Sequence, residues 1–393
     1  MFSSKSRLSS ISRRQPQAGS TYILLTEYVG PSATLRILIS PDSIEYVAIS
    51  PLFTSLPHFS SRLDISSGNS PSNMYVLLLI TFCINFIYDR NKKVDVQKIR
   101  GKLGGVEIGD GHPTRIMAVL NLSPESFYKG SVALGAAVER ALELEKYSDF
   151  LDVGAMSTAP YLETWIPPEK ELERLKAVLP DIVKNVKIPI SVDTYRPQVA
   201  EYALKMGASI INDVTGGWLY PDMCRVAADH GASVVLMARE KTPKKGRQPI
   251  DRVLEALRGS VERFEQCGVD PERIAVDPGI GFPLLPPRDE PYVVRGEYRH
   301  GDENWPWWKW DLHIIANLPK LRALGKPVLI GVSRKSFLRR VAGVDSPEEV
   351  LPASVAAEAV AVLNGAHVVR THNPRETRQA AKLGEALRLV DRA

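Results

Sequence analysis

At 393 residues with 44% hydrophobic side chains, the chain is long enough for one large domain or two and rich enough for a sizeable core. Its net charge of +5 comes from basic residues interleaved with acids, which argues for a solvated surface and against a nucleic-acid footprint. The three cysteines, Cys83, Cys224 and Cys267, have neither metal-ligand spacing nor an even disulfide framework, which argues against a secreted scaffold and suits a reducing cytoplasm.

The first 73 residues hold 18 serines and the remaining 320 only 13, a composition shift too sharp for one continuous domain. Residues 1–95 therefore form an N-terminal extension, and residues 96–393 a second unit. The extension has an Arg/Ser-rich start, a Ser/Pro/Gly stretch over Ser60–Ser72, and the apolar run YVLLLITFCINFIY over Tyr75–Tyr88. That run is shorter than the roughly 17–25 residues of a spanning helix. Four readings stand open for this part: a disordered segment, a β-rich packing extension, a membrane or signal segment, or a coding start placed too far upstream, with translation beginning at Met74 or around Val94. Of these, the membrane reading is the least favoured.

From Lys98 onward, strand-like runs alternate with helical ones. The apolar runs are Arg115–Leu120, Phe150–Gly154, Ile188–Asp193, Ser209–Asp213, Ser233–Met237, Ile274–Asp277, Pro327–Gly331 and Ala366–Arg370. Amphipathic stretches such as Ala136–Lys146, Pro168–Lys184, Pro197–Met206, Val253–Cys267 and Ser354–Asn364 separate them. Short Val/Ile-rich runs each followed by a helix predict parallel strands buried on both faces. The pattern predicts an α/β (β/α)8 barrel, a fold whose usual size is about 250 residues. A doubly wound sheet is the alternative, but no glycine-rich phosphate turn follows the first strand.

In such a barrel the site lies at the C-terminal strand ends. The polar groups predicted there are Asn121, Asp152, Asp193, Asn212 with Asp213, Asp277, Ser333 to Lys335, and Arg370 with His372. A lone aspartate at a strand end is more often a helix N-cap, and Asp152 and Asp213 fit that reading. The set as a whole suits a flat heterocycle with adjacent N–H donors and a carbonyl, such as a 2-amino-4-oxopteridine. A carboxylate takes the ring N–H and amino group together, and an ammonium holds the carbonyl. After the last strand, Asn373, Pro374 and Glu376 read as N-cap, first helical residue and capping glutamate. A helix N-terminus beside Arg370 and His372 is suited to phosphate.

MAVLNLSPESFYKGS (Met117–Ser131), SVDTYRP (Ser191–Pro197), IIND (Ile210–Asp213), DPGIGF (Asp277–Phe282), GVSRKSF (Gly331–Phe337) and VVRTH (Val368–His372) resemble dihydropteroate synthase, in that family's order. The resemblance covers residues 115–390 and does not touch residues 1–95. It implies condensation of 6-hydroxymethyl-7,8-dihydropterin pyrophosphate with p-aminobenzoate. By the same resemblance Asp193, Asn212, Asp277 and Lys335 hold the pterin, with Phe282 beside it. Arg370 and His372 hold the pyrophosphate, and Lys335, Arg370 and His372 carry the catalysis. Asn121 helps bind Mg2+, Ser333 lines the arylamine pocket and Thr158 sits on the second loop. A cytoplasmic homodimer, acting on small molecules with no nucleic-acid partner, is also implied.

The chain departs from the family pattern in two places. Met156 and Ala159 stand where an acidic residue and an arginine are usual. After Phe282 an insertion runs through Asp311 and contains WPWWKW (Trp305–Trp310), with four of the six tryptophans. The insertion reads either as a lid stacking on substrate or as packing over the rim or a dimer contact. The altered loop, with the basic stretch Arg239–Arg247, keeps open a ribofuranosylaminobenzene phosphate acceptor. That stretch is otherwise a solvated loop. A pterin-dependent methyltransferase and a pterin-binding protein without turnover are the remaining alternatives.

Overall fold

The computed structural model describes residues 98–122, 136–156, 165–240, 246–282 and 305–390, together with the backbone of four strands nearer the N-terminus. The chain divides into two units, Met1–Val96 and Gln97–Ala393. In the first, β1 (Ile23–Gly30), β2 (Ala33–Ile39), β3 (Ser43–Ile49) and β4 (Arg62–Asp64) pair antiparallel in chain order. The Tyr75–Tyr88 run lies outside the described residues. Among those residues no helix is long and apolar enough to cross a membrane.

The second unit opens with a hairpin, β5 (Arg100–Leu103) and β6 (Val106–Gly109), turned by Gly104 and Gly105 at φ 54° and 85°. Eight strands follow, each close to a predicted run: β7 (Arg115–Asn121), β8 (Phe150–Gly154), β9 (Ile190–Asp193), β10 (Ile210–Asp213), β11 (Ser233–Met237), β12 (Ile274–Asp277), β13 (Leu329–Ile330) and β14 (Val368–Thr371). They form one parallel sheet in the order β12-β11-β10-β9-β8-β7-β14-β13, and a parallel bridge from Val276 to Val328 links its two edges. That is the (β/α)8 barrel the alternation predicts.

The outer wall is helical: α1 (Ala137–Glu145), α2 (Pro168–Asn185), α3 (Pro197–Met206), α4 (Met223–Asp229), α5 (Pro249–Gln266), α6 (Trp307–Ala316), α7 (Ser336–Ala342), α8 (Leu351–Leu363) and α9 (Pro374–Val390). Local chemistry sets their ends. Proline takes the first position of α3, and Gly207 closes it at φ 113°, donating back to Ala203 and Leu204.

Strand alternation builds the interior in layers. Met117, Phe150, Ile210, Val235, Ala275, Leu329 and Val368 point inward and pack with Leu103 and Ile108 of the hairpin, which plugs the N-terminal end of the barrel. Burying those two side chains contributes roughly 2 kcal/mol each, which an isolated two-stranded hairpin needs to persist. Asp110, just past the hairpin, accepts from Ile99 N and from both Nη atoms of Arg322, tying the plug to the wall.

One expectation is corrected here, and of the two readings of the tryptophan run the structure bears out packing. The structure joins Cys224 of α4 to Cys267 at the end of α5 in a disulfide, although the cysteine count suggested no framework. Two cysteines 43 residues apart carry no sequence signal that their helices are neighbours. The tryptophan run is not a lid over the site. Trp307 opens α6, Trp310 is buried in the main core, and Trp305, Trp307 and Trp308 pack against that core. Apolar rings at helical spacing bury themselves against the wall.

Candidate functional site

Two residues beyond the apolar layer, the same inward phase carries polar groups. Asp152 (β8), Asp193 (β9), Asn212 (β10), Asp277 (β12) and Arg370 (β14) thus stand around one end of the barrel, with Asn121 at the end of β7. The structure brings them together with Lys335, Phe282, Ser333 and His372. Thr158 and the 283–304 insertion lie outside the described residues, as do most of the first two loops.

Arg370 is the hub. Its Nε donates to Asp152 Oδ2 at 2.7 Å and its Nη2 to Asp193 Oδ2 at 2.8 Å. Asn212 Nδ2 donates to the same Asp152 oxygen at 3.1 Å. Asp152 is fully buried mid-strand and anchors an amide and a guanidinium, so its reading as a helix cap is wrong. Asp213 caps no helix either: its carboxylate accepts from Thr215 N, Thr215 Oγ1 and Gly217 N within the turn that follows β10, and α4 begins only at Met223.

Burial pushes Asp193 up to about 7, against the pull of Arg370 and with repulsion from Asp152 and Glu171. Its Oδ1 is buried and makes no hydrogen bond among the described residues. Burial also raises Asp277, whose Oδ1 accepts from Gly279 N at 2.8 Å. Lys335 is lowered to about 8 by burial and by Arg370, while Asp277, Asp311 and Asp193 oppose the change.

The loop after β12 is shaped to receive Lys335. Gly281 has φ 74°, and a Cβ there would lie 3.0 Å from Lys335 Cδ, so the lysine stem passes where a side chain would stand. Gly281 N donates to Asp311 Oδ1 at 3.0 Å, and Asp311 is fully buried in α6. The insertion thus serves this rim through an aspartate rather than through its tryptophans. Lys335 Nζ lies 4.3 Å from the Phe282 ring centre.

In the Ser333–Ser336 segment the two cations part. Arg334 takes φ 58°, the only non-glycine positive φ among the described residues, a conformation costing about 1–2 kcal/mol. Its guanidinium donates to Pro347 O, Glu348 O and Asn373 Oδ1, which hold it in the wall. Ser333 Oγ lies 3.1 Å from His372 Nδ1 and accepts from His372 N. Burial drives the His372 imidazole well below its ordinary value, with Arg370, Lys335 and Arg334 adding to the effect. The imidazole is therefore neutral at pH 7. α9 begins at Pro374, as predicted, immediately beyond this pair.

Met156 joins Tyr195, Val214 and Met237 in an apolar cluster bordered by Ile166 and Phe282. The stretch from Arg239 does not start as a solvated loop. Arg239 and Glu240 are buried, and Glu240 pairs with Arg252.

A parallel barrel with carboxylates, an amide and an ammonium around one rim, beside a guanidinium–imidazole corner at a helix N-terminus, is an enzyme site for a polar heterocycle bearing a phosphate. Residues 117–296 and 309–372 match the family described as pterin binding enzyme. A dihydropteroate synthase from Synechocystis is 31% identical over 286 residues, covering 70% of this chain and 91% of that protein. A Xanthomonas albilineans dihydropteroate synthase solved with 7,8-dihydropteroate is 30% identical with a TM-score of 0.59, covering 73% of this chain and 98% of that one. The Thermus thermophilus enzyme in complex with 6HMPPP is 32% identical with a TM-score of 0.57, covering 73% and 99%. The chain belongs to the dihydropteroate synthase family of pterin-binding enzymes.

Proposed function

We propose that this chain condenses 6-hydroxymethyl-7,8-dihydropterin pyrophosphate with p-aminobenzoate, giving 7,8-dihydropteroate and pyrophosphate. The observation that carries the reading is Asp193 Oδ1, a buried carboxylate oxygen without a hydrogen bond, on a rim shared with Asn212, Asp277 and Lys335. Such an oxygen is costly unless a ligand donates to it. The pterin's ring N–H and amino group supply the donors, and Lys335 Nζ takes its carbonyl.

Arg370, His372 and the N-terminus of α9 would receive the pyrophosphate. As the bond from the exocyclic carbon to the pyrophosphate oxygen breaks, charge gathers on that oxygen, where a guanidinium, an imidazole N–H and helix amides stabilise it. Ser333 beside Nδ1 orients the ring. The arylamine nitrogen then bonds to that carbon and releases a proton to water. A neutral arylamine is nucleophilic at pH 7, so holding it in line with that carbon does most of the remaining work.

Mg2+ fits this arrangement as an ion carried mostly by substrate phosphates. Asn121 Oδ1 is a hard oxygen at the rim, 3.5 Å from where a Cβ on Gly154 would stand. Among the described residues no group of three His, Cys, Asp or Glu is placed to hold a metal alone. When bound, the ion would neutralise charge on the leaving pyrophosphate.

The same reading makes the enzyme a homodimer and puts it in the cytoplasm. In reducing surroundings the Cys224–Cys267 bond, which closes a 43-residue span, would be open. The test of function is pyrophosphate release by purified protein with Mg2+ and the dihydropterin pyrophosphate. Release that depends on p-aminobenzoate is expected. Release only with its ribofuranosyl phosphate counterpart would move the enzyme to that acceptor, and binding without release would overturn the reading.

A further inference from the structure

One more cation stands on the rim. Met237, the last residue of β11, faces inward with Tyr195 and near Phe282, and Ala238 packs into the outer core. Arg239 stands two residues past the end of β11. It is completely buried, and its guanidinium carbon lies 5.5 Å from the centre of the Phe282 ring, the ring that Lys335 Nζ also faces.

The backbone that carries Arg239 is fixed. Ala238 N donates to Asp277 O at 2.9 Å, one strand away. Next in the chain, Glu240 is locked in a buried pair with Arg252, whose guanidinium lies 4.8 Å from the Trp310 ring centre. The tip of β11 is therefore braced against α5 and α6 before it reaches the site. A buried cation this close to an aromatic ring is attracted to it, which favours one orientation of the ring.

We infer that Arg239 is a positioning residue for the pterin half of the site, fixing the Phe282 ring that seats Lys335 on the rim with Asp277. The inference rests on the proposed condensation and names a residue that neither the family motifs nor the strand-end pattern assigned. Its charge bears on the carboxylates as well. Burial raises both Asp213 and Asp277, and Arg239 offsets part of that rise in each. The other cations acting on Asp277 are Lys335 and Arg370.

The experiment compares wild type with Arg239→Met, which keeps length without charge, and Arg239→Lys, which keeps charge. Arg239→Met should raise KM for the pterin pyrophosphate by about tenfold, the equivalent of roughly 1.4 kcal/mol, and leave KM for p-aminobenzoate unchanged. The acid limb of kcat/KM, to which Asp277 contributes beside Asp193, should move to higher pH, because Asp277 loses a neighbouring positive charge. Arg239→Lys should restore both.

A merely structural role would lower the amount of folded enzyme without moving the limb. An unchanged pterin KM with a superimposable pH profile would overturn the inference. If Arg239→Met does not fold, Phe282→Leu carries the test, since loss of the ring should reproduce the pterin KM change. Titration of 6-hydroxymethylpterin into wild type and variant separates the two readings. If wild type binds it yet releases no pyrophosphate from the dihydropterin pyrophosphate and p-aminobenzoate, the condensation fails while weaker binding by Arg239→Met still supports the positioning role.

Discussion

Arg370 donates to Asp152 and Asp193 at once, so removing it does more than weaken the pyrophosphate corner. The motif-based division of labour, pterin to the aspartates and pyrophosphate to the arginine, predicts that Arg370→Ala spares bare dihydropterin. The geometry predicts otherwise. Asp193 stands at about 7 with Arg370 beside it, and loss of the cation raises it further. A carboxylate below its pKa is protonated and cannot accept both pterin donors. Bare dihydropterin affinity at pH 7.5 should therefore fall in Arg370→Ala, which titration calorimetry measures directly. Equal affinity in variant and wild type at pH 7.5 would restore the simple division. The same two groups set the wild-type profile. kcat/KM should rise as Asp193 ionises near 7 and fall as Lys335 loses its proton near 8, a narrow bell.

The elements are held by buried ion pairs that the strand pattern does not announce. Arg196, just before α3, donates to Glu171 of α2 at 2.7 Å and to Ile166 O at 2.8 Å, with both side chains of the ion pair fully buried. Its guanidinium also lies over Trp165 and Tyr195. Arg196 thus fixes the return of the second loop to the wall. Arg196→Met leaves Glu171 buried without this partner and should cost about 3–5 kcal/mol by chemical denaturation. The double variant with Glu171→Leu should recover much of that loss, because an apolar pair replaces a desolvated one. A double variant as unstable as the single one would mean that packing of the rings, not charge, is what Arg196 supplies. Strand ends were legible because short runs rich in Val and Ile lead up to them. The β5–β6 hairpin was not, since Arg100 and Lys102 in one strand and Glu107 in the other break any apolar run. Its signal was the Gly104–Gly105 pair between two short alternating runs.

At the scale of the molecule, the rim was legible where a polar residue ends an apolar run, which marked Asp193, Asn212, Asp277, Arg370 and His372. It was illegible where the deciding fact is three-dimensional. Asp152 looks like any strand-end cap until Asn212 and Arg370 converge on it. Arg239 looks like the head of a basic loop, and Asp311 closes an insertion without periodicity. The outer wall carries one more such fact. Leu383, Leu387 and Val390 follow one another at helical spacing along α9, all exposed, and Val360 is exposed on α8, which packs against it. An apolar stripe on two adjacent wall helices is the kind of surface that a second copy covers in a two-fold dimer. Leu383→Glu with Leu387→Glu should convert a dimer to a monomer in light scattering after gel filtration. Both positions face outward, so the barrel should still fold, as circular dichroism would register. A wild type that is monomeric at micromolar concentration, or a variant that stays dimeric, would leave this stripe without a role in assembly.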